Sequence, residues 1–504
     1  MKRGKEAKRK NKAAARRNAP RSFCFRKEEP LSPVAWPEKV CYDVGTEDEM
    51  EEPRKQLHTE HIAAAVCVSA LLGIFVFWAV DRSPMAWYEW IIMLSDIVLF
   101  SLIGVQFLFS WFQTWRNREP EPELVTEPIG WKTDLTIFCL ILIVHAARFL
   151  IAFLWESMAM GFDGTLSDSM WYWKASDSRH YLDIAQHWYS DYDHSGTVWR
   201  LVFLPFYPVL IRAAAVLTRD YLTSGILVSV ICSSAAGSVL YRLARLDYDR
   251  ETSLRAVKYY AILPAALFYT AALSEGTFML LALLCIYLVR KKKWLTACAL
   301  GGIAAFTRSV GIILLVPVCF EWLTEVIQSG RETRKKTLFS GFSLLLIPLG
   351  FCAYLFINYA ETGDWFRFAV YQSENWDQHL GWFFGSVRYQ LTYLIDWFTS
   401  GRTEDGVGLW AASLLSQFFA LGVMALTAQK QRPSYVAYFL IYFMVTMGAT
   451  WLLSAPRYLL VMFPLLLGTA DLTRKKWADY TLSAGCLVLG QIYLYAFLNQ
   501  FDVY

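Results

Sequence analysis

Charge is what this chain has least of. Asp, Glu, Lys and Arg make up 18% of its 504 residues, against roughly a quarter in a soluble protein, and the mean hydropathy is +0.31. That deficit excludes an ordinary water-soluble globule and points to lipid. Alternating segments of about ten residues are also missing, which excludes an outer-membrane-type barrel. No internal repeat is visible, although a secondary transporter usually carries one. The ten cysteines lie in the N-terminal tail (Cys24, Cys41) or inside apolar runs, with no CxxC pair. Neither a disulfide framework nor a thiolate metal site follows from them.

What is present is 56% hydrophobic and 16% aromatic residues, in spanning-length apolar runs from His61 onward. These features predict an all-α, polytopic membrane protein. Residues 1–21 carry ten Lys or Arg against one Glu, so the remainder of the chain is net acidic. The tail reads as a solvated cytoplasmic segment that touches anionic lipid headgroups, rather than a nucleic-acid-binding arm. It is not read as a cleaved signal peptide, because no apolar stretch follows before His61. Residues 1–60 are therefore taken as basic tail and linker, 61–132 as two membrane helices and a cytoplasmic loop, and 133–504 as the main membrane domain.

Basic clusters set the threading. Spans at 61–80, 88–112 and 133–155 place 156–221 outside as the largest external loop, and 222–241 returns to the basic RLARLDYDRETSLR. Both ends of 256–290 are basic, and so are both ends of 294–325. Each is expected to be a hairpin of two short helices, since thirty-odd residues at ~1.5 Å each cannot cross a ~30 Å core twice. The second hairpin should turn at Thr307-Arg308-Ser309. Spans at 336–358, 408–428, 435–453, 457–471 and 478–498 follow, with an interfacial helix at 380–399, for about thirteen transmembrane or re-entrant helices. The segment 200–217, broken by Pro205 and Pro208 and bearing Arg212, is expected to lie in the outer interface.

The external loop contains WYWKASDSRHYLDIAQHWY, residues 171–189. If 176–189 is helical, Asp177, His180 and Tyr181 share one face while Asp183 points away. Beneath this helix the membrane hairpins carry Glu275 and Arg308. Intramembrane charges are costly and mark function by default. Arg308 has two readings: a structural ion pair with Glu275, or a clamp for a phosphate, which a guanidinium binds in bidentate fashion. For Arg457, at the outer end of a span, the readings are snorkelling to the interface and contact with a donor phosphate. An external carboxylate over a membrane-embedded Arg suits glycosyl transfer from a lipid-linked phosphosugar. The carboxylate would take the acceptor proton, and the Arg would stabilise the leaving phosphate. A transporter or lipid flippase is the alternative.

His187, Asp191 and His194 resemble a metal cluster but are read as solvated loop. The Trp-rich 361–384 segment is read as an interface belt rather than a sugar platform.

Four stretches taken together resemble the signature blocks of the GPI mannosyltransferase 2-like family and its prokaryotic relatives. They are SDSRHYLDIAQHWY…LVFLPFYPVLIR, LPAALFYTAALSEGTFMLLALL, LGGIAAFTRSVGIILLVP and SAPRYLLVMFPLLLG, and the resemblance covers roughly 133–500. It implies a GT-C architecture, a polyprenyl- or dolichyl-phosphate-mannose donor, an inverting transfer, and no cofactor or metal. The acceptor, whether glycan, glycolipid or protein, stays open. On the family pattern Asp177 is the catalytic acid residue, acting as general base beside His180 and Tyr181. Ser274-Glu275 and Thr307-Arg308-Ser309 fall on the other blocks, with Arg457 in the Pro-Arg-Tyr block. Glu275 would stand near the chemistry, while Tyr181, Arg308, Ser309 and Arg457 would contact substrate. Position 176 departs from the pattern, being Ser where the family usually has Trp. The tail and two leading helices look additional to the family core, which favours a prokaryotic cytoplasmic membrane over the endoplasmic reticulum.

Overall fold

A computed structural model of the chain describes residues 47–82, 84–116, 129–159, 161–174, 176–190, 197–401 and 406–499. The basic tail, Asp191 and His194 lie outside them. The chain divides into Met1–Ala65 and Val66–Tyr504. In the first unit the described residues are helical and belong to the helix Glu47–Val80. That helix begins at Glu47, inside the stretch expected to be linker.

The second unit is built from helices, and its single β-type contact among the described residues is the bridge between Leu380 and Ala449. Among the described residues eight helices are long and apolar enough to cross a membrane: Thr59–Val80, Trp87–Arg116, Trp131–Met158, Tyr221–Ala244, Ser309–Gln328, Arg331–Thr362, Gly408–Lys430 and Lys476–Leu498. Shorter apolar helices at Phe206–Thr218, Trp294–Thr307, Pro433–Met447 and Phe463–Leu472 pack among them. The chain is an all-α, integral, multi-pass membrane protein.

Both segments expected to be hairpins break into shorter helices. The first consists of Arg250–Ile262, a 3₁₀ turn Pro264–Tyr269, and Glu275–Arg290. Pro264 explains the break, because the residue before a proline is driven out of the helical region, and Leu263 is extended at ψ 145°. The second runs Trp294–Thr307, Ser309–Leu314 and Leu315–Gln328. Its joint is Arg308, extended at φ −146°, ψ 139° between two helical segments. The segments expected at the interface are helical, at Phe206–Thr218 and Phe383–Thr399.

Ion pairs tie together the helix ends that carry the basic clusters. Arg290 grips Asp247 with both terminal nitrogens at 2.7 and 2.9 Å, and Arg432 lies 3.0 Å from Glu321. Lys258 pairs with Asp479 at 2.5 Å across the Arg250–Ile262 and Lys476–Leu498 helices.

Candidate active site

The carboxylate of Asp177 sits at a helix start. Asp177 is the N-cap of Ser178–His187, and its carbonyl accepts from the backbone of His180 and Tyr181 at 3.1 and 3.3 Å. The residue before it, Ser176, has φ 53°, a left-handed conformation that a side chain adopts at a cost of roughly 1–2 kcal/mol. At the helix's other end, Arg212 donates to the carbonyls of Ala185 and Gln186 at 2.6 and 3.2 Å. A cation at a helix C-terminus satisfies orphan carbonyls and opposes the dipole. Arg212 in the apolar segment is thus a clasp on the Asp177 helix.

Glu275 opens the helix Glu275–Arg290, just after the turn that follows Pro264–Tyr269. Gly276 lets that helix press against Tyr221–Ala244, since a Cβ there would stand 2.8 Å from the Ser229 carbonyl oxygen. Ser229 in turn donates to the Leu273 carbonyl at 2.8 Å, fixing the turn.

These elements bring four charges into one chain. Arg457 donates through Nη1 to Asp177 Oδ2 at 2.5 Å, and through Nε to Glu275 Oε1. Arg308 Nη1 reaches the same Glu275 Oε1 at 2.5 Å and Ser274 Oγ at 3.0 Å. The order is Asp177, Arg457, Glu275, Arg308, with alternating sign and no net charge. Glu275 is fully buried and Arg457 is 4% exposed, whereas the Asp177 side chain keeps 27% of its surface. The snorkelling reading of Arg457 is therefore corrected. Two carboxylates draw its guanidinium inward, which repays the cost of desolvating it.

The quartet edges a cavity of about 390 Å³. Asp177, Tyr181, Arg308, Ser309 and Arg457 line it, so five of the seven residues singled out from sequence meet at one space. Glu275 lies behind the wall, bonded to both arginines, and its Oε2 has no partner among the described residues. His180 is turned elsewhere. Its ring stacks on Phe203 at 4.8 Å and meets Trp199 edge-on at 5.0 Å, and its Nδ1 is buried without a partner among the described residues. Asp183 points away as expected, 3.6 Å from Arg200.

The ionisation of the groups on and beside the Ser178–His187 helix follows from these contacts. Burial raises the Asp177 carboxyl, but the Arg457 guanidinium outweighs it and holds the group below the usual aspartate range. Burial pushes His180 down despite the nearby Asp177 charge, so its imidazole is neutral at pH 7. Tyr181, whose hydroxyl shares a 3.0 Å hydrogen bond with Ser274 Oγ, is pushed by burial up to about 12 and remains a phenol.

The far wall carries residues the sequence reading did not assign to the site. Phe203, Gln372, Trp376, Gln378 and Tyr458 all line the cavity. Gln372 donates to Gln378 at 2.5 Å, and Gln378 donates to the Trp451 carbonyl at 2.6 Å. Trp376 comes from the Trp-rich 361–384 segment, whose aromatic density suits an interface belt and a sugar platform alike. The glutamines carry no such signal.

Comparison with known proteins adds a partial match. Residues 203–354 match the family model for dolichyl-phosphate-mannose-protein mannosyltransferase. The match spans Glu275, Arg308 and Ser309 but not Asp177, Tyr181 or Arg457, and it supports a membrane glycosyltransferase of the GT-C type. No curated protein sequence matches the chain. Among solved structures, it is similar to the Archaeoglobus fulgidus oligosaccharyltransferase in complex with zinc and sulfate, at 12% identity and TM-score 0.39, covering 72% of this chain and 53% of that one. The apo form of the same enzyme gives 11% identity and TM-score 0.38, covering 74% and 56%. The chain thus spans about half the length of those structures.

Proposed function

We propose that this protein transfers mannose from a polyprenyl- or dolichyl-phosphate-mannose donor to an extracytoplasmic acceptor hydroxyl, with inversion at the anomeric carbon. One observation carries the reading. A single cavity joins a carboxylate at the start of the Ser178–His187 helix to an arginine at the break between two apolar helical segments.

Arg308 suits the donor phosphate. Its Nη1 is anchored on Glu275 and Ser274, while Nε and Nη2 make no hydrogen bond among the described residues. A fixed, always-charged fork of this kind is what a phosphate oxyanion accepts. Ser309 and Thr307 line the same wall. In the transfer, the acceptor oxygen forms a bond to C1 of the sugar as the C1–O bond to phosphate breaks. The electron pair leaves with the polyprenyl phosphate, where Arg308 offsets the new charge. The acceptor proton passes to Asp177 Oδ1, the oxygen not engaged by Arg457. A weakly basic carboxylate serves here, because the hydroxyl turns acidic only as its oxygen bonds to C1. Glu275 holds the two arginines and does not touch substrate; it is a positioning residue.

The four sequence blocks, the 203–354 match and the ion quartet all agree with this reading, and a GPI mannosyltransferase 2-like assignment is its finer form. Incubating membranes containing the protein with labelled polyprenyl-phosphate mannose and lipid extract tests it. A mannosylated product that requires Asp177 supports the proposal. Label transferred only from nucleotide-linked sugar, or a product that survives Asp177→Asn, overturns it.

A further inference from the structure

A second cavity, of about 670 Å³, lies beside the first, lined in part by Trp78, Glu89, Trp382, Arg388, Tyr389 and Tyr393. The two spaces share one thin wall. Gly381 donates to the Gly448 carbonyl at 2.7 Å, Thr450 donates to the His379 carbonyl at 3.0 Å, and Leu380 pairs with Ala449. Along this wall Gln378 and Ala449 face the first cavity, whereas Gly381, Gly448 and Thr450 face the second. Gly448 permits the close approach, since a Cβ there would lie 2.8 Å from the Gly381 carbonyl oxygen.

One side of the second cavity is closed by the leading helices, which the sequence reading sets apart from the family core. Trp78 and Glu89 come from Glu47–Val80 and Trp87–Arg116. Trp78 meets Phe384 at 5.2 Å and Glu89 reaches Arg388 at 2.8 Å, so both pack on the helix Phe383–Thr399. Glu89 is buried, and it also accepts from the Ala86 backbone at 2.7 Å and Thr392 Oγ1 at 3.2 Å. It grips Arg388 by Nε alone and leaves both terminal Nη groups without a partner among the described residues. The tyrosines are backed by further rings: Tyr389 stacks on Trp451 at 5.7 Å and Tyr393 on Trp410 at 5.1 Å.

Rigid aromatic surfaces beside a planar hydrogen-bond fork are the chemistry that grips a sugar: C–H faces lie on rings and vicinal hydroxyls meet the fork. Charge decides between a sugar and an anionic headgroup. The cavity's cations, Arg82 and Arg388, are matched by the carboxylates Glu89 and Asp396, so nothing favours a net-negative ligand. We propose that this cavity is a subsite for a neutral oligosaccharide, holding the inner sugars of an extended acceptor whose end residue reaches Asp177 across the shared wall. The sugar-binding claim rests on this cavity alone; its role as acceptor subsite rests on the transferase reading above.

Saturation-transfer NMR on the full chain in a sugar-free detergent tests the proposal, with α-1,6-mannotetraose, maltotetraose, cellotetraose and inorganic phosphate as probes. At least one tetrasaccharide should bind, and Trp382→Ala and Tyr393→Ala should each weaken it by about tenfold. Tyr393 is 37% exposed, so its truncation leaves folding intact. No bound tetrasaccharide, binding indifferent to both aromatic variants, or phosphate competing as well as sugar overturns the subsite. Binding lost in Trp382→Ala alongside a failed mannosyl-transfer assay sinks the transferase reading and leaves the sugar site. Transfer without tetrasaccharide binding does the reverse.

Discussion

Arg457 and Asp177 stand 280 positions apart in the chain and 2.5 Å apart in space, Nη1 on Oδ2. The same guanidinium holds Glu275, so one side chain from the Ala455–Leu460 helix sets the geometry between the Ser178–His187 and Glu275–Arg290 helices. Arg457 is thereby the keystone of the candidate site, and its neighbours' behaviour can be forecast from it.

Asp177→Asn keeps the shape of the side chain and removes the proton acceptor. Mannosyl transfer should fall by roughly 10²–10⁴, with expression and donor affinity near wild type. Asp183→Asn, on the opposite face beside Arg200, should be mild by comparison. Purified variants assayed side by side decide it; an active Asp177→Asn enzyme removes the assigned base.

The pH profile carries the imprint of the ion pair. Because Arg457 holds Asp177 below the usual aspartate range, the base is ionised throughout neutral pH and is lost only as pH falls through that depressed value. The acid limb of the transfer rate should thus lie below about pH 4, the ordinary aspartate value. Arg457→Gln removes the attraction while burial still raises the carboxyl, so the limb should move upward. A limb near pH 6–7 in the wild type would assign the titration to another group, such as an imidazole.

Arg308→Lys preserves charge but not the planar fork, and should raise the donor KM by roughly tenfold. Arg308→Ala should cost on the order of 10²–10³ in turnover, the range seen when an oxyanion donor is lost. Glu275→Gln is the control for a purely structural pair. If it restores both folding and activity to Arg308→Ala, the phosphate role fails.

Gly276→Ala places a methyl 2.8 Å from the Ser229 carbonyl oxygen and 3.1 Å from Ser233 Cβ. Helix Glu275–Arg290 must then move off Tyr221–Ala244, at a cost of about 1–3 kcal/mol. A lowered unfolding temperature with reduced transfer is expected, whereas Gly330→Ala, with nothing within 4 Å, should be silent. Equal stability of the two variants would refute the close-contact argument.

Threading from the basic clusters makes its own forecast. A tag at Gly164 should be accessible only from outside, and one at Gly330, beside Arg331, only from the cytoplasm. Protease protection in sealed vesicles reads both. An inside position for Gly164 would place Asp177 on the wrong face and end the mechanism.

The sequence by itself determined the solvent. Scarce charge and long apolar runs allow only helices in lipid, because backbone groups there must bond internally. It also marked 256–290 and 294–325 as too short to cross twice at full length, and both break into shorter helices. Asp177, Tyr181, Arg308, Ser309 and Arg457 were legible because polar groups next to apolar runs stand out, and they do line one cavity. Their connectivity was not legible. Helical periodicity places residues on a face but cannot say which distant face it meets, so only packing revealed Arg457 clasped by Asp177 and Glu275 instead of snorkelling. His180 shows the same limit. One turn from Asp177 by periodicity, it was diverted into the Phe203, Trp199 and Trp376 rings by a tertiary cluster that no local spacing encodes. Gln372, Gln378 and the second cavity were equally invisible, since neutral amides and scattered aromatics become a binding wall only when segments far apart in sequence close on one another.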